Sequence, residues 1–458
     1  MKMQYTLKTL SALVLGLGTA GIAHSAGFQL LEQNASGLGN AYAGSAAIGE
    51  NASANYFNPA SITLLPGMNV SAGVVGIKPN FEFSDSGSTT PTTFGGKPIG
   101  GLGGRPAGGG DGGNAGAWGV VPNAHFTWQV SPRTWLGLSV GAPFGLMTDY
   151  EKGWAGRYHS EKFDIQSINI NPSIAFKATD TLSVGVGLNW MQLEADYRKA
   201  QFVPSFPAGM MAPIALPGGD LQARVKAKGD AWGWNAGILW QATEDTRFGL
   251  SYRSRVKIDA DGTTTVSNRN IPTTVMGGAM ANPLLAQLPL GAHNASASIE
   301  LPDSAIFSVV HQLNDRWTLL GDVAWTGWSS IPELKIVNTG IDNATLDLRF
   351  KDAWRVSLGA NYKYSESWTF KGGVAWDQSP VQSDAYRPSA LPDNDRYWVS
   401  LGAKYNFSKS TSIDVGYAHL FVKNTSVNNH SAEATSGVLK GDYKSSADII
   451  GVQFSHQF

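Results

Sequence analysis

The sequence contains no cysteine and few charged residues among its 458 positions. Without cysteine, the chain can form neither a disulfide framework nor a thiol nucleophile. Charged residues make up only 15% of the chain, against a usual value of about 25% for soluble proteins. The formal net charge is −1, which gives no electrostatic basis for nucleic-acid binding. This composition is not that of a soluble enzyme of two or three domains, and we expect no nucleic-acid partner.

A metal-binding pattern and a long apolar segment are also missing. The eight histidines are scattered, and no two of them have the i, i+4 spacing of a helical zinc site. Beyond Ala26 the sequence contains no run of about 18 apolar residues, so no transmembrane helix is expected there. We predict no cofactor and no metal site.

The first 25 residues have the features of a secretory signal peptide. Lys2 and Lys8 form a positively charged start, and Leu10–Ala23 is apolar. Ala23-His24-Ser25 then provides a small-x-small cleavage site before Ala26. An uncleaved membrane anchor is the alternative, but the apolar run is short for a membrane span. Export without a transmembrane helix leaves either a secreted soluble protein or an outer-membrane β-barrel.

From Met68 onward, apolar and small or polar residues alternate with period two in runs of about ten residues. The apolar faces of these runs end in aromatic residues. This pattern is typical of strands that face lipid on one side and a wet lumen on the other, with aromatic girdles at both interfaces. Clear examples begin at Trp317, Trp354, Trp368 and Tyr397.

Short polar turns alternate with longer Gly/Pro-rich stretches. The predicted turns are Val130–Arg133, Ala178–Thr181, Ala242–Asp245, Leu313–Arg316, Tyr364–Ser367 and Phe407–Ser410. The predicted long loops lie near Pro79–Gly116, Thr148–Ser160, Lys199–Asp220, Ala260–Ala297, Ser329–Thr345, Gln378–Asn394 and Lys423–Gly441. Six turns and seven loops join fourteen strands. The sequence therefore predicts an all-β fold, a transmembrane β-barrel of about 14 antiparallel strands.

Residues 26–66 do not share this alternation. They are mostly Ala, Gly, Ser and Asn, and such a segment cannot bury a core of its own. We predict that it forms a hatch, or plug, inside a barrel built by residues 67–458. The chain ends in an alternating run that closes on Phe458. This ending resembles the C-terminal signal read by the barrel insertion machinery, which we therefore expect as a partner.

Several segments are similar to the FadL family of outer-membrane transporters of long-chain fatty acids. They include AGFQL, SGLGNAYAG and NYFNPASIT near the start, then VPNAHFTWQV, GWAGRYHSEKF and PDNDRYWVSLG. The resemblance implies a fourteen-stranded barrel in the outer membrane of Gram-negative bacteria, plugged by the hatch. It also implies passive uptake of hydrophobic molecules. Within the hatch we single out Phe28 and the turn Asn58-Pro59-Ala60, which should seal the pore because Asn bonds to its own backbone and Pro stops extension.

The third predicted strand contains Gly141, Ala142, Pro143, Phe144 and Gly145. Proline lacks an N–H, and both proline and glycine are disfavoured inside paired strands. These residues should interrupt the ladder and kink the strand inward. A simple bulge near a strand end is the alternative. The resemblance implies that such a kink opens a gap in the wall, through which ligand leaves sideways into the membrane.

Two predicted extracellular loops are unusually apolar. Exposed apolar surface commonly marks binding, and methionine adapts to flexible alkyl chains. The resemblance implies a groove that captures ligand from lipopolysaccharide and outer-membrane lipid. The alternative is a lid in which the two loops pack on each other. The residues concerned are Phe202, Phe206, Met210 and Met211 in one loop and Leu284, Leu285 and Leu288 in the other.

Arg198 and Lys199 follow the fifth predicted strand. The resemblance places a carboxylate-contacting base here, with Lys199 closer by alignment. A charge-assisted bond would orient a fatty-acid headgroup. Contact with lipopolysaccharide, or simple solvation, is the alternative. The family's second basic position falls near Leu346, with Arg349 as a possible substitute.

Two motifs suggest chemistry that we reject. Gly137–Gly141 spells G-x-S-x-G, but it lies in an alternating strand rather than at a strand–turn–helix junction. Gly100–Gly113 lacks the strand–helix frame of a dinucleotide site, and we expect a flexible loop. We predict no enzyme. The predicted function is a monomeric, passive channel for long-chain fatty acids or similar hydrophobic compounds; the alternatives are an aromatic-hydrocarbon channel, a general porin and an outer-membrane lipolytic enzyme.

Overall fold

The computed structural model describes residues 27–458, so the expected signal peptide and Ala26 lie outside the described residues. The wall is one closed antiparallel sheet of fourteen strands, several of them interrupted along their length. The first and last strands pair from Asn69↔Gln457 to Asp85↔Gly441 and close the ring. The predicted fold class and strand number are confirmed.

The strands, numbered in chain order, include six that consist of two segments. They are β1 (Met68–Asp85), β2 (Gly119–Ser131), β3 (Thr134–Gly141 and Gly145–Asp149), β4 (Lys162–Lys177), β5 (Leu182–Val203), β6 (Gly219–Gln241), β7 (Thr246–Arg253 and Val256–Asn268), β8 (Gly291–Leu301 and Ser304–Gln312), β9 (Trp317–Thr326 and Glu333–Asn338), β10 (Ala344–Asp347 and Ala353–Lys363), β11 (Trp368–Asp377), β12 (Arg396–Asn406), β13 (Thr411–Val422 and Thr425–Asn429) and β14 (Leu439–Gln457).

The remaining elements are short. Two small hairpins lie outside the wall, Thr93–Phe94 with Lys97–Pro98 and Thr274–Val275 with Met280–Ala281. The α-helical turns are Ala54–Phe57 and Glu433–Ser436, and the 3₁₀ turns are Leu38–Asn40, Pro59–Leu64, Gly100–Leu102, Met276–Gly278, Leu285–Gln287, Trp328–Ser330 and Asp384–Tyr386. Within residues 27–458, no helix is long and apolar enough to cross a membrane.

All six predicted short turns join consecutive strands in the structure. The long loops are shorter than predicted because the strands continue further. β7 and β8 stay paired from Val256↔Leu301 to Val266↔Gly291, which reduces the predicted loop Ala260–Ala297 to residues 269–290. Beyond the lipid the outward residues become polar, as at Asp261 and Thr263. The hydrophobic alternation therefore ends there, although the backbone hydrogen bonds continue.

The outward face carries the apolar band that a lipid-facing wall requires. Exposed aliphatic residues cover its middle, for example Leu138, Ile170 and Val186. Near the short turns, Trp240, Phe248 and Phe307 stack side by side on β6, β7 and β8, with ring centroids 5.7 and 5.9 Å apart. This row has the position of an interfacial aromatic girdle.

Residues 27–66 are almost entirely buried, and their neighbours are wall strands on all sides of the barrel. Glycines in those strands allow the close approach: a Cβ on Gly185 of β5 would lie 2.6 Å from the Ala60 nitrogen, and Gly373 of β11 contacts the Asn40 backbone. The wall also supplies polar partners. Asp322 of β9 accepts hydrogen bonds from Gly44 N at 2.8 Å and from Ser45 Oγ at 2.7 Å. These contacts join the segment to the buried face of the wall and are consistent with the predicted hatch.

A side chain at position 373 should displace the segment. We expect Gly373→Val to destabilise the protein by about 1–3 kcal/mol through overpacking against Asn40, and to raise the steady ion conductance in planar bilayers. Gly372→Val is the matched control, because a Cβ at this adjacent position meets nothing within 4 Å. Equal conductance and equal melting temperature for both variants would contradict the close packing of the segment.

Candidate functional site

Strand β3 is interrupted at Ala142, Pro143 and Phe144. Its pairing with β4 stops at Gly141↔Asn169 and resumes at Gly145↔Gln166. Three residues of β3 therefore lie opposite two of β4, the arrangement of a bulge. It lies within the strand, because the segment Gly145–Asp149 continues beyond it.

The same interruption leaves an opening between β3 and β2. Their pairing runs from the short turn to Ala124↔Val140 and ends there. Residues 119–123 of β2 remain paired with β1 on their other side. In the described part of the chain, the next bridge across the β2–β3 boundary is Gly116↔Thr148. The wall thus lacks a continuous ladder over this stretch.

Residues near the start of the hatch form hydrogen bonds with the backbone of β3 where β2 does not pair with it. Leu30 N donates to the Pro143 carbonyl at 2.8 Å, and Gly145 N donates to the Phe28 carbonyl at 2.9 Å. The Gln33 side chain also donates from Nε2 to the Ala142 carbonyl at 2.8 Å. The start of the hatch and the interrupted strand are therefore joined by backbone hydrogen bonds.

Phe28 lies between two inward-pointing aromatic residues. Its ring centroid is 5.9 Å from that of Phe144 and 4.8 Å from that of Trp328. Trp328 is fully buried and comes from a second inward excursion of the wall, between the two segments of β9. Sequence reasoning missed this residue because nothing in the run before the predicted loop at Ser329 indicates an inward turn. The apolar cluster continues through the lumen with Phe163, Ile165, Leu193, Tyr197, Leu348 and Phe350.

The Asn58-Pro59-Ala60 turn lies at the opposite end of the hatch, close to the short turns. Asn58 Oδ1 accepts from Ala60 N at 2.9 Å, the local bond expected from the sequence. Its Nδ2 donates to the carbonyls of Ala46 at 2.7 Å and Ile238 at 3.0 Å. The turn therefore ties one part of the hatch to another and to β6.

The three predicted headgroup bases have different surroundings. Arg198 pairs with Asp149 at 2.8 Å, next to β4. Arg349 pairs with Asp347 at 3.1 Å and lies over the Tyr386 ring, 4.4 Å from its centroid. Both guanidinium groups are thus already engaged with carboxylates. The surroundings of Lys199 are different.

Lys199 lines a cavity at the loop end of the lumen, nine residues beyond Trp190 and outside the membrane-spanning part of β5. Its Nζ contacts Ser436 Oγ at 3.4 Å. Within residues 27–458, no carboxylate lies close enough to form a salt bridge with it. Enclosure among the loops lowers the pKa of Lys199 to about 8, because burial disfavours the charged ammonium. Tyr197 and Ala390 line the cavity and also belong to the luminal apolar cluster, so the two regions adjoin.

The predicted capture residues divide into three groups. Phe206, Leu284 and Leu288 are buried in a core shared by the two loops, with Leu285 packed against it. Phe202 packs on Tyr158, with ring centroids 5.8 Å apart, in a separate cluster. Met210 and Met211 remain exposed at the tip of their loop. The two loops therefore pack on each other, and among the predicted capture residues Met210 and Met211 are the ones with exposed side chains.

Ion pairs join the loops at their bases. Glu161 is fully buried and pairs with Arg269 of the β7–β8 loop. Arg157 pairs with Asp220 at 2.8 Å and donates to the carbonyls of Ala107 at 2.9 Å and Gly108 at 3.0 Å. Within the tract Gly100–Gly113, expected to be a flexible loop, these bonds tie Ala107 and Gly108 to Arg157.

The serine of the G-x-S-x-G string has a histidine neighbour that the sequence did not reveal. Ser139 Oγ lies 2.9 Å from His125 Nδ1, and the other ring nitrogen donates to the Gln33 carbonyl at 2.9 Å. Asn55 Nδ2 donates to the same serine oxygen at 2.9 Å. Ser139 is buried beneath the hatch, so these groups bond the hatch to β2 and β3 rather than face a substrate.

Comparison with known proteins gives consistent results. The sequence model of the family described as outer membrane protein transport protein (OMPP1/FadL/TodX) matches residues 16–458. The chain is 33% identical over 435 residues to the long-chain fatty acid transport protein of Escherichia coli strain CFT073, covering 91% of this chain and 92% of that protein. The crystal structure of a Pseudomonas aeruginosa FadL homologue matches with a TM-score of 0.81 at 26% identity, covering 94% of this chain and 100% of the other. The Ralstonia pickettii toluene transporter TbuX matches with a TM-score of 0.63 at 16% identity over 94% of this chain and 100% of that chain, which shows the shared fold alone.

The shared loop core can be tested by truncating one side chain. Leu284 is 1% exposed, whereas Leu290 in the same loop is 42% exposed. Leu284→Ala should destabilise the loop packing by about 2–5 kcal/mol and speed tryptic cleavage after Arg269. Leu290→Ala should leave the cleavage rate unchanged. Similar rates for the two variants would mean that the loops do not pack as described.

Proposed function

Because the chain belongs to the outer membrane protein transport family (OMPP1/FadL/TodX), we propose that it takes up long-chain fatty acids by passive diffusion. The protein is a β-barrel of the outer membrane. In the proposed pathway, a ligand is captured at the loops, enters the apolar lumen, displaces the start of the hatch and leaves sideways between β2 and β3. In this proposal, the signal peptide expected at residues 1–25 directs export of the chain.

The observation that carries the proposal is the ammonium group of Lys199. A cation enclosed in a cavity, without a carboxylate partner in the described chain, is suited to bind an anionic headgroup by charge-assisted hydrogen bonds. The adjoining apolar cluster suits the alkyl chain of the same ligand. An aromatic hydrocarbon has no anionic group to pair with the ammonium and could offer it only a weaker cation–π contact. Lys199 therefore favours a fatty acid over the aromatic alternative.

Two further features support lateral exit. Three hydrogen bonds given above join Phe28, Leu30 and Gln33 to the interrupted strand, and each contributes about 1 kcal/mol net. Burial of the Phe28 side chain adds about 1.5–3 kcal/mol. A ligand bound with micromolar affinity has about 8 kcal/mol available. The binding free energy of such a ligand is therefore large enough to displace these residues. It is not large enough to displace the main body of the hatch, which has many more contacts. Gly27 N also donates to the Asp393 carboxylate at 3.0 Å, which connects this movement to the β11–β12 loop.

The alternatives fit the structure less well. A general porin needs an open polar constriction, whereas the burial of residues 27–66 and their contacts with many wall strands support a plugged lumen. A lipolytic enzyme needs a serine accessible to substrate, but Ser139 is 1% exposed.

Substitution of Lys199 tests the fatty-acid assignment. We expect cells that depend on this protein to take up oleate in preference to toluene. Lys199→Met should weaken oleate binding about tenfold or more, since a hydrogen bond to a charged group contributes about 1.5–3 kcal/mol, and should leave toluene uptake unchanged. Arg198→Met, at the adjacent position, is the control and should retain oleate binding. Toluene uptake without oleate uptake would overturn the proposal.

The same residue predicts a pH dependence. With a pKa of about 8, Lys199 is protonated below pH 8 and neutral above it. Oleate affinity should therefore fall as the pH rises through 8, and the dependence should disappear in Lys199→Met. Titration of oleate binding across this range measures both curves.

A reversible cross-link tests movement of the hatch. Gln29 and Phe144 form an antiparallel bridge, and directly opposed residues have the Cα separation of about 4.5–5.5 Å that a disulfide accepts. Because the native chain has no cysteine, Gln29→Cys with Phe144→Cys introduces a single pair. Oxidation should abolish oleate uptake, retain surface binding and be reversed by a reductant.

The control for this cross-link is a pair at the other end of the hatch. Thr63 Oγ1 lies 2.8 Å from Ser183 Oγ, and we expect Thr63→Cys with Ser183→Cys to retain uptake when oxidised. Undiminished uptake with the Gln29–Phe144 disulfide formed would show that the start of the hatch does not need to move.

A further inference from the structure

Asn123 is a buried amide without a partner. It lies on the luminal face of β2 and is 4% exposed. In the chain from residue 27 to 458, neither its Oδ1 nor its Nδ2 has a hydrogen-bond partner. Buried polar side chains are nearly always hydrogen-bonded, and leaving both a donor and an acceptor unpaired is unfavourable. A group in this state requires an explanation.

Asn123 lies beside the opening between β2 and β3. The last pair between β2 and β3 is Ala124↔Val140, so Asn123 is the first residue of β2 beyond the ladder. The neighbours on the same face are both engaged: Val121 packs in an apolar cluster with Ala142, and His125 bonds Ser139 and the hatch. Asn123 thus presents free polar atoms at the luminal edge of the opening.

A second unpartnered atom lies on the other side of this edge. Gln33 uses its Nε2 to bond the Ala142 carbonyl, but its Oε1 has no partner among the described residues. This oxygen lies against Gly141, where any side chain would collide with it. The exit is therefore bordered by amide groups rather than by aliphatic side chains alone.

We propose that Asn123 binds the carboxyl group of the ligand as it leaves through the opening, an inference that rests on the proposed function. Desolvation raises the pKa of a carboxyl group, so a fatty acid entering the bilayer is favoured in its neutral form. A neutral carboxyl has one O–H donor and a carbonyl acceptor, and a primary amide offers the complementary pair. The site is specific for a protonated carboxylic acid, because an ester lacks the donor and a hydrocarbon lacks both groups.

The test compares three probes of similar length: oleic acid, methyl oleate and octadecene. Asn123→Leu removes both polar atoms, and Asn123→Ala is a second variant that adds no bulk. The matched control is Thr127→Val, since Thr127 is also buried with an unpartnered Oγ1 on the same strand face. It pairs with Gly137 inside the intact ladder, away from the opening. Uptake is measured in proteoliposomes, with the melting temperature of each variant.

We expect both Asn123 variants to slow oleic acid uptake about tenfold and to leave octadecene uptake unchanged, since two hydrogen bonds are lost only for the acid. Methyl oleate should respond less than the acid. The melting temperature of Asn123→Leu should be equal or higher, because an unpaired buried group is replaced by an apolar side chain of similar size. Asn123→Ala leaves a small cavity and should melt slightly lower. Thr127→Val should leave uptake of all three probes unchanged.

Three results would overturn the inference: unchanged oleic acid uptake, equal slowing of octadecene, or a lowered melting temperature with loss of all uptake. The last would show that the amide is only structural. A wild-type protein that transports octadecene but not oleic acid would instead reject the proposed function, so the two failures are distinguishable.

Discussion

Every backbone N–H and C=O that faces hydrocarbon must be paired within the protein, because lipid offers no hydrogen-bond partner. Closure of the sheet by β1 and β14 meets this requirement for most of the wall. The interruption of β3 is an exception, and its free groups are paired in other ways. The Ser167 hydroxyl bonds both the N–H and the carbonyl of Phe144. The Phe28 carbonyl accepts from Gly145 N, and Leu30 N donates to the Pro143 carbonyl. The opening in the wall therefore depends on the N-terminal segment that covers it.

The two parts of the hatch make different kinds of contact with the wall. Its main body rests against strand glycines and buried polar groups, such as Asp322, and Lys371 pairs with Glu50 at 2.7 Å. Its first residues instead contact the aromatic rings of Phe144 and Trp328 and a few backbone groups. Local stability follows the number of such contacts, so we expect the first residues to open at the lowest free energy.

A structural feature of this protein could be predicted from the sequence when the residues that determine it are neighbours along the chain. Period-two alternation and short polar turns are local, and they located all fourteen strands. The internal bond of Asn58 to Ala60 is local too. Three residues were missed because their surroundings are formed by parts of the chain that are distant in sequence. Trp328 lies in the second interruption of the wall, and His125 bonds the Gln33 carbonyl. Asn123 lies at the end of the β2–β3 ladder. The interruption of the ladder at residues 142–144 agrees with the sequence signal of Gly141, Pro143 and Gly145, because proline cannot donate to any ladder, whereas its role as an exit stays a prediction.

The two polar groups of the proposed pathway match the change of medium that the ligand undergoes. Lys199 lies at the loop end of the lumen, outside the membrane, where a carboxyl group is ionised and a cation is the better partner. Asn123 lies at the end of the β2–β3 ladder, and at the proposed exit a neutral amide would bind the neutral acid without introducing a charge into the bilayer. A lysine at the exit would retain the carboxylate, and an amide at the entrance would not attract it. In this proposal the cation meets the ionised ligand, the amide meets the neutral acid, and the ligand takes up a proton from water between the two sites. The concentration gradient sets the direction of net movement, because binding sites alone cannot drive it.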